Sequence, residues 1–412
     1  MKINLNKFII SIIIICFCTT RFWGINIEWY INLSIRIVAI LFLILSNGFK
    51  LKFSKEVSGF AKITALPIFL IMVYSCINWF IISGVPEADV IRNLFTSSSY
   101  LFIDILLAVL FYSKYKGESV DLFVKCGFIS YIIGSIVPLL VKFPSNSLLY
   151  LITSYSDNYD LLYLTEVNDL TFGMGFCLLY YLFFDNREKN KKRFNIILCI
   201  LLIFWGLKRV EILALVLCYV FYRFVMKKNH IKKATAIATC IVLVVSYSYV
   251  MFIHNSELIS LANKYNINFM GRLTTYQYVA NNYSSFNLTY LGIGFGHIDE
   301  ILDELVRINY RVGYIPVISL HSDILRMYLG IGFIGFGLWI LYQMSIKTKI
   351  LYKKNGENAA KAYLLFTIFL FILYLTDNTY SYPVTFTLYL ICTLAATKIN
   401  DNAEKKDDVY EE

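Results

Sequence analysis

Apolar runs of about 15 to 27 residues recur from Phe8 to Thr397, and only short polar links separate most of them. A helix of about 20 apolar residues crosses the roughly 30 Å hydrocarbon core of a bilayer. In lipid, each run must satisfy its own backbone hydrogen bonds, which favours helices. Hydrophobic residues make up 58% of the 412 residues and charged residues 16%. Soluble domains have roughly 45–50% and 25%. These features predict an all-α integral membrane protein.

The hydropathy pattern predicts about 12 transmembrane helices within one polytopic membrane domain, residues 1–397. Their approximate bounds are 8–22, 29–46, 63–83, 94–112, 120–141, 170–184, 194–207, 210–226, 234–253, 319–345, 361–377 and 383–397. The first segment resembles a signal peptide, but no small-residue cleavage site follows it, so we assign it as the first helix. Residues 398–412 are rich in charge and are expected to form a disordered cytoplasmic tail.

Basic residues predict how these helices are oriented. They concentrate in alternate connections, in the ranges 50–62, 114–116, 187–193, 227–233 and 347–361. The positive-inside rule assigns these connections, and with them both termini, to the cytoplasm. The net charge of +10 is therefore a consequence of topology, and nucleic acid is not an expected partner.

The longest connection, residues 254–316, falls on the predicted extracytoplasmic side. A loop of this length in a compact domain is usually functional. Within it Ile298, Ile301, Leu302 and Leu305 recur at helical spacing, while charged residues occupy the other face. This pattern predicts an amphipathic helix in the membrane interface, so the loop is expected to be partly helical.

Cysteine and histidine usage indicates neither a disulfide framework nor a metal site. All nine cysteines fall inside apolar runs, where packing is the expected role. His254, His297 and His321 share no metal-ligand spacing. We therefore expect no metal and no cofactor.

Ten basic residues lie near the predicted outer face, against the positive-inside rule, and six of them form a cluster that needs a separate explanation. They are Lys208, Arg209, Arg272, Arg307, Arg311 and Arg326. Guanidinium groups present forked donors that match phosphate oxygens. An anionic ligand at the outer leaflet would explain them, and so would contacts with lipid headgroups. Glu211, two residues after Arg209, is a further candidate for the same site.

A glycine-rich segment follows in the large loop. Residues 290–297 read Tyr-Leu-Gly-Ile-Gly-Phe-Gly-His, without the strand and helix that a dinucleotide-binding loop requires. Gly292, Gly294 and Gly296 would either let the backbone approach a ligand closely or form a tight turn. The sequence leaves both roles open.

His321 is the most informative single residue. Pro316 ends the loop, and Ser319 or Ser322 is the expected cap of the helix that follows. A histidine in the first helical turn is kept neutral by the helix dipole and can accept a proton. The alternative is a hydrogen-bonded interfacial histidine without a catalytic role.

Two charged residues are predicted within the membrane in adjacent spans. Asp104 and Lys125 lie at similar depths, so we expect them to form an ion pair.

Three pieces of the second half, within about residues 200–345, carry a resemblance to a known family. They are Gly206-Leu207-Lys208-Arg209 before an apolar helix, Gly271-Arg272 followed by residues 291–296, and His321-Ser-Asp-Ile-Leu325 followed by Gly330, Gly332 and Gly335. Together they resemble the O-antigen polymerase (Wzy) and O-antigen ligase superfamily of bacterial envelope glycosyltransferases. The chain departs from the pattern at Lys208, where a small hydroxyl residue is frequent, and at Ser322, where Asn often follows the histidine.

The resemblance implies a multi-pass protein of the bacterial cytoplasmic (inner) membrane that joins lipid-linked oligosaccharide repeat units of O-antigen, capsule or exopolysaccharide. The glycan would move from undecaprenyl diphosphate to a sugar hydroxyl of another unit, without a metal, and the outer loops contain no D-x-D pattern. Membrane lipid, a flippase and a chain-length regulator are the other expected partners. A ligase that transfers finished glycan is the alternative, followed by a flippase or transporter of the same lipid-linked sugars.

The resemblance also assigns roles to residues. It implies that His321, Arg272 and Arg209 are catalytic. The predicted substrate-binding residues are Lys208, Glu211, Gly292, Gly294, Gly296, Arg307, Arg311 and Arg326.

Overall fold

The computed structural model describes residues 4–20, 29–49, 53–142, 167–206, 208–265, 290–297 and 320–397. Helix accounts for 87% of the structure, and no strand occurs among the described residues. The predicted all-α fold class is confirmed.

The helices are numbered in chain order. They are α1 (Leu5–Thr19), α2 (Trp29–Ser46), α3 (Lys55–Ile77), α4 (Ala88–Tyr115), α5 (Glu118–Tyr131), α6 (Val137–Lys142), α7 (Asn168–Phe183), α8 (Lys189–Gly206), α9 (Arg209–Phe221), α10 (Ile231–His254), α11 (Ser256–Lys264), α12 (Asp323–Leu341), α13 (Lys347–Tyr374) and α14 (Pro383–Thr397). Short π-helical turns extend α3, α5, α9 and α12, and a 3₁₀ turn, Thr379–Ser381, precedes α14.

Each of the predicted transmembrane segments contains helix within the described residues. Within the described residues, five helical stretches are long and apolar enough to cross a membrane: Lys55–Ile82, Ala88–Tyr115, Glu118–Ile136, Ile231–His254 and Asp323–Tyr374. Shorter apolar helices cover Leu5–Thr19, Tyr30–Ser46 and Pro383–Ala396. The chain is therefore of the membrane-embedded type, and the number of crossings stays a prediction.

Two helices form the centre of the bundle. Residues 383–396 of α14 and 169–181 of α7 are buried on all sides, as expected for a helix that is apolar all round. They approach each other closely at Gly173, where a Cβ would lie 2.6 Å from the Leu388 side chain. Small residues allow this kind of close helix contact inside a membrane. The peripheral helices α3 and α9 instead expose large apolar side chains, including Phe69 and Leu213, to the surroundings.

One buried ion pair corrects a prediction. Asp104 on α4 pairs with Arg36 on α2, with 2.8 Å between Oδ1 and the guanidinium nitrogen, and both side chains are 4% exposed. Lys125, the expected partner, is exposed instead. The prediction was wrong because two residues at a similar depth can lie on sides of their helices that do not point toward each other. The Arg36 guanidinium also lies over the Tyr100 ring, 5.2 Å from its centre.

A second polar cluster lies where α5, α7 and α8 meet. Arg187 contacts the carboxylates of both Asp121, at 2.5 Å, and Asp185, at 2.8 Å. Tyr181 and Asn195 also donate hydrogen bonds to Asp121. Hydrogen bonds from Arg187 to the two carboxylates raise the pKa of its guanidinium, which keeps it charged. This network fixes the connection between α7 and α8.

The Arg36–Asp104 pair yields a stability prediction. Arg36→Met leaves Asp104 buried without its partner, and an unpaired charge inside a membrane costs about 2.5–3.5 kcal/mol. We expect a clear fall in the melting temperature of the detergent-purified protein. The double variant Arg36→Met, Asp104→Leu removes both charges and should regain most of the loss. Equal melting temperatures for the single variant and the wild type would show that the pair contributes nothing.

Candidate functional site

The start of α12 carries His321. Ser322 is the N-cap: its hydroxyl accepts the Leu325 backbone N–H at 3.2 Å. The same hydroxyl donates to the Tyr374 carbonyl at 3.3 Å. This confirms the cap predicted at Ser322, but His321 lies one residue before it, outside the first helical turn. His321 is half-buried and has φ 47°, a left-handed conformation that is uncommon for a residue other than glycine.

Asp323, the first residue of α12, was missed by the sequence reasoning. Its side chain is completely buried, and Oδ2 accepts the Tyr380 backbone N–H at 2.6 Å and the Thr379 hydroxyl at 3.4 Å. Its other oxygen, Oδ1, has no hydrogen-bond partner among the described residues. An acidic residue at the start of a helix, directly after a capping serine, was the signal that could have pointed to it.

The turn between α13 and α14, residues 377–382, closes over this helix start. The Asp323 backbone N–H donates to the Asp377 carbonyl at 3.3 Å. Asp377 Oδ1 in turn accepts the Tyr382 hydroxyl at 2.7 Å. Desolvation and the nearby Asp323 carboxylate raise the pKa of Tyr380, so its phenol is neutral at ordinary pH. The turn therefore presents hydrogen-bond donors beside two carboxylates.

The glycine segment, residues 290–297, pairs with a break in α12. Gly332 has φ 68°, which interrupts the helix. Backbone N–H groups of Ile293 and Gly294 donate to the carbonyls of Leu329 and Gly330 at 2.8 and 2.9 Å. Irregular backbone is tolerated at membrane depth only where other protein groups satisfy it. The two non-helical stretches supply these partners to each other.

The end of α3 and its π-helical turn hold the same segment from the other side. The Trp79 indole N–H donates to the Ile293 carbonyl at 2.9 Å, and the Asn78 amide donates to the Gly292 carbonyl at 2.9 Å. The Phe295 backbone N–H donates to the Ser75 hydroxyl at 3.0 Å. These contacts fix the end of the large loop between α3 and α12.

The three glycines are required by this packing. A Cβ at Gly294 would lie 2.1 Å from Trp79 Nε1, and one at Gly296 would lie 2.2 Å from the Val90 carbonyl oxygen. A Cβ at Gly292 would lie 2.5 Å from the Gly332 nitrogen. The sequence had left open an approach to a ligand or a tight turn. The structure shows close approach of the segment to other parts of the chain.

Arg326 lies beside this segment. Its guanidinium is 5.9 Å from the centre of the Phe295 ring, and that ring is 5.9 Å from the ring of Tyr380. The glycine segment, the first turns of α12 and the turn 377–382 therefore meet around Phe295. His297 makes an edge contact with Trp79 on the same segment.

The start of α9 carries the other predicted residues. Lys208 is the N-cap and is half-buried, whereas Arg209 is exposed. Glu211 is completely buried, and neither of its carboxyl oxygens has a hydrogen-bond partner among the described residues. A Cβ at Gly175 on α7 would lie 2.8 Å from Glu211 Oε1. Glu211 therefore points into the bundle, where Gly175 makes room for it.

Contacts through α7 connect the two groups of residues. Asp169, in the first turn of α7, accepts the backbone N–H groups of Val384 at 3.2 Å and Thr385 at 2.7 Å, which caps α14. Phe172 stacks on Tyr382 with 6.2 Å between ring centres. The starts of α7, α9, α12 and α14 therefore lie at the same end of the bundle, together with the glycine segment.

Other predicted features fall outside the described residues: Arg272, Arg307, Arg311, the amphipathic segment 298–305 and the tail 398–412. In the described part of the chain, no group of three or more His, Cys, Asp or Glu side chains is arranged to hold a metal ion.

No family model matches the chain, and no curated protein matches it. The site is therefore interpreted from its own residues and geometry.

The glycine packing yields a second prediction. Gly294→Ala combines a strained positive φ of 82° with a collision against the Trp79 ring, so we expect a strong loss of folded protein. Gly84→Ala is the matched control: its φ is 92°, but nothing lies within 4 Å of the new Cβ. Its folding stability should fall by only about 1–2 kcal/mol, the cost of a left-handed backbone for a residue with a Cβ. Size-exclusion profiles and melting curves in detergent compare the two. Similar behaviour of both variants would contradict the packing role.

Proposed function

We propose that the protein is a membrane glycosyltransferase that polymerises lipid-linked oligosaccharide repeat units. The donor is a glycan on undecaprenyl diphosphate, and the acceptor is a sugar hydroxyl of a second lipid-linked unit. The reaction takes place at the outer face of a bacterial cytoplasmic membrane and needs no metal. The product is O-antigen, capsular polysaccharide or exopolysaccharide.

The observation that supports this most directly is the meeting of separate sequence pieces at one end of the bundle. The glycine segment 290–297 is hydrogen-bonded to α12, whose start carries His321 and Arg326. The start of α9 with Lys208 and Arg209 lies at that end too, next to α7. Apart from Gly271-Arg272, which lies outside the described residues, these are the pieces on which the resemblance to the Wzy and ligase superfamily rests. The first along the chain lies about 80 to 120 residues before the other two, and those two lie about 25 residues apart.

The proposed chemistry uses these groups in distinct roles. The acceptor oxygen forms a bond to C1 of the donor sugar while the bond from C1 to the diphosphate oxygen breaks, and the diphosphate leaves with the electron pair. Exposed Arg209, together with Arg272, stabilises the developing negative charge on the phosphates. His321 takes the proton of the acceptor hydroxyl or orients that hydroxyl.

Arg326 is the third arginine of the proposed site, after Arg209 and Arg272. Its position over Phe295 places a guanidinium against the wall formed by the glycine segment. Arg307 and Arg311 are proposed to add further phosphate contacts. The three loop glycines act indirectly, because they allow the wall to pack against α3 and α12.

The proposed topology has about 12 crossings, with both termini in the cytoplasm and the large loop 254–316 outside. The apolar helices and the alternation of basic connections support it. The starts of α7, α9, α12 and α14 then face outward, where the lipid-linked sugars are presented.

The first activity prediction concerns Arg209. Arg209→Ala should reduce polymer formation by roughly 100-fold or more, because a fixed cation at developing phosphate charge is lost. Arg223→Ala is the matched control, since Arg223 is an exposed arginine at the opposite end of the same helical stretch. The measurement is chain length on gels after expression in a deletion strain, with membrane levels checked by immunoblot. Normal chains in Arg209→Ala would remove it from the site.

The role of His321 is tested in the same assay. His321→Gln keeps a hydrogen-bonding side chain but cannot act as a base near neutral pH, so it separates orientation from proton transfer. Near-normal polymer with His321→Gln and none with His321→Ala would assign orientation alone. Deletion of the gene should leave glycan with single repeats. Loss of all attached glycan, with lipid-linked polymer accumulating, would indicate the ligase reaction instead.

Topology is tested by reporter fusions. An alkaline phosphatase fusion at Asn282 should be active, and a fusion after Thr397 should be inactive, because alkaline phosphatase folds only outside the cytoplasm. A green fluorescent protein fusion should show the opposite pattern. Cytoplasmic signals at both positions would contradict the proposed location of the loop and of the site.

A further inference from the structure

Lys347, at the start of α13, is a buried lysine with no acidic partner among the described residues. Its side chain is 1% exposed. No carboxylate in the described part of the chain comes within ion-pair distance of it, and no hydrogen-bond acceptor contacts its ammonium group there. A buried charge is normally paired, because removing it from water is costly.

Aromatic rings offset part of this cost. Lys347 Nζ lies 4.9 Å from the centre of the Tyr363 ring and 5.4 Å from the centre of the Phe60 ring. Such contacts attract a cation to the ring faces. The rings carry no net negative charge, however, so the ammonium is not neutralised by them.

Lys347 also lines an internal cavity. The cavity has a volume of about 30 Å³ and lies between α3, α12, α13 and α14. This is room for one or two water-sized occupants, and too little for a phosphate headgroup. None of the side chains that line it is acidic.

Besides Lys347, two polar side chains around the cavity can donate hydrogen bonds to an occupant. The Thr64 hydroxyl on α3 is buried and has no hydrogen-bond partner among the described residues. The Gln343 side-chain oxygen already accepts the Tyr363 hydroxyl at 3.2 Å, which leaves its amide NH₂ as a donor. A cation, an unpaired hydroxyl and an amide donor around a small cavity match the needs of a small anion.

We propose that this cavity binds one small monovalent inorganic anion, of the size of chloride. The Lys347 ammonium supplies the opposite charge, and the Thr64 hydroxyl donates a hydrogen bond. The bound anion connects α3 to α13 and so stabilises the packing of the bundle. The proposed anion site uses none of the residues proposed to act on the glycan or the diphosphate, although Tyr374 and Tyr380, which line the same cavity, also contact the start of α12. Its test does not depend on polysaccharide synthesis.

The test measures thermal unfolding of the full-length protein in detergent, in sodium chloride, sodium bromide and sodium gluconate at equal ionic strength. Chloride and bromide should raise the melting temperature in a saturable way, because a ligand that binds only the folded state stabilises it. Gluconate is too large for the cavity and should have no such effect.

Two variants and one control variant test whether the effect of chloride arises at this cavity. Lys347→Met keeps the length of the side chain without the charge and should abolish the dependence on chloride. Lys353→Met is the matched control, since Lys353 is an exposed lysine on the same helix, and it should respond as the wild type does. Thr64→Val keeps the lysine and should shift the half-saturating chloride concentration upward by about tenfold, a typical factor for the loss of one hydrogen bond to a charged group.

Equal melting temperatures of the wild type in chloride and gluconate would overturn the proposal and leave only water or a neutral lysine in the cavity. A chloride effect that persists in Lys347→Met would overturn it as well. If Lys347→Met does not fold, the wild-type comparison and Thr64→Val decide the question alone. Bromide, located by its anomalous scattering in a crystal, should lie between Lys347 and Thr64, and its absence from that position would refute the site.

Discussion

The need to satisfy every backbone hydrogen bond in a low-dielectric interior determines the arrangement around the site. Gly332 interrupts α12, and the carbonyls of Leu329 and Gly330 receive their hydrogen bonds from Ile293 and Gly294. A helix broken inside a membrane protein needs such partners. The end of the large loop is thereby fixed against α12. The position of Phe295, and through it the surroundings of Arg326, follow from this pairing.

Buried polar groups elsewhere in the bundle are mostly paired between helices. Arg36 pairs with Asp104, and Asp169 caps α14 from the start of α7. The exceptions are informative, because an unsatisfied buried group in a native structure needs an explanation. Glu211 and Asp323 Oδ1 lie beside the proposed transferase site. Lys347 lies at the small cavity between α3, α12, α13 and α14. These groups lie where ligands are proposed, but Asn195 Oδ1, in the Asp121–Arg187 cluster, also has no partner among the described residues, and no ligand is proposed there.

Hydropathy predicted the helices well. All the predicted segments contain helix, because the length and apolarity of a run are local properties that a bilayer selects directly. The cap at Ser322 was also local and was found. Helix partners were not predictable: Asp104 faces Arg36 and not Lys125, since the rotation of each helix depends on packing against its neighbours. The prediction that His321 lies in the first helical turn was also wrong. Contacts with distant residues decide where α12 begins, because Tyr374 and the turn 377–382 hydrogen-bond to its start.

By itself, the sequence determined the all-helical membrane class, the order of the helices and the set of candidate residues, including His321, Arg209 and the loop glycines. The class and the helix order follow from composition and hydropathy along the chain. The candidate residues follow from exceptions to the positive-inside rule, from glycine spacing and from the resemblance. Only the tertiary structure decided what the glycines contact and that Asp323 joins α12 to the turn before α14. It alone also showed that Lys347 is buried, with no carboxylate of the described residues at ion-pair distance. Such facts depend on residues far apart in the chain, which packing brings within a few ångströms of one another.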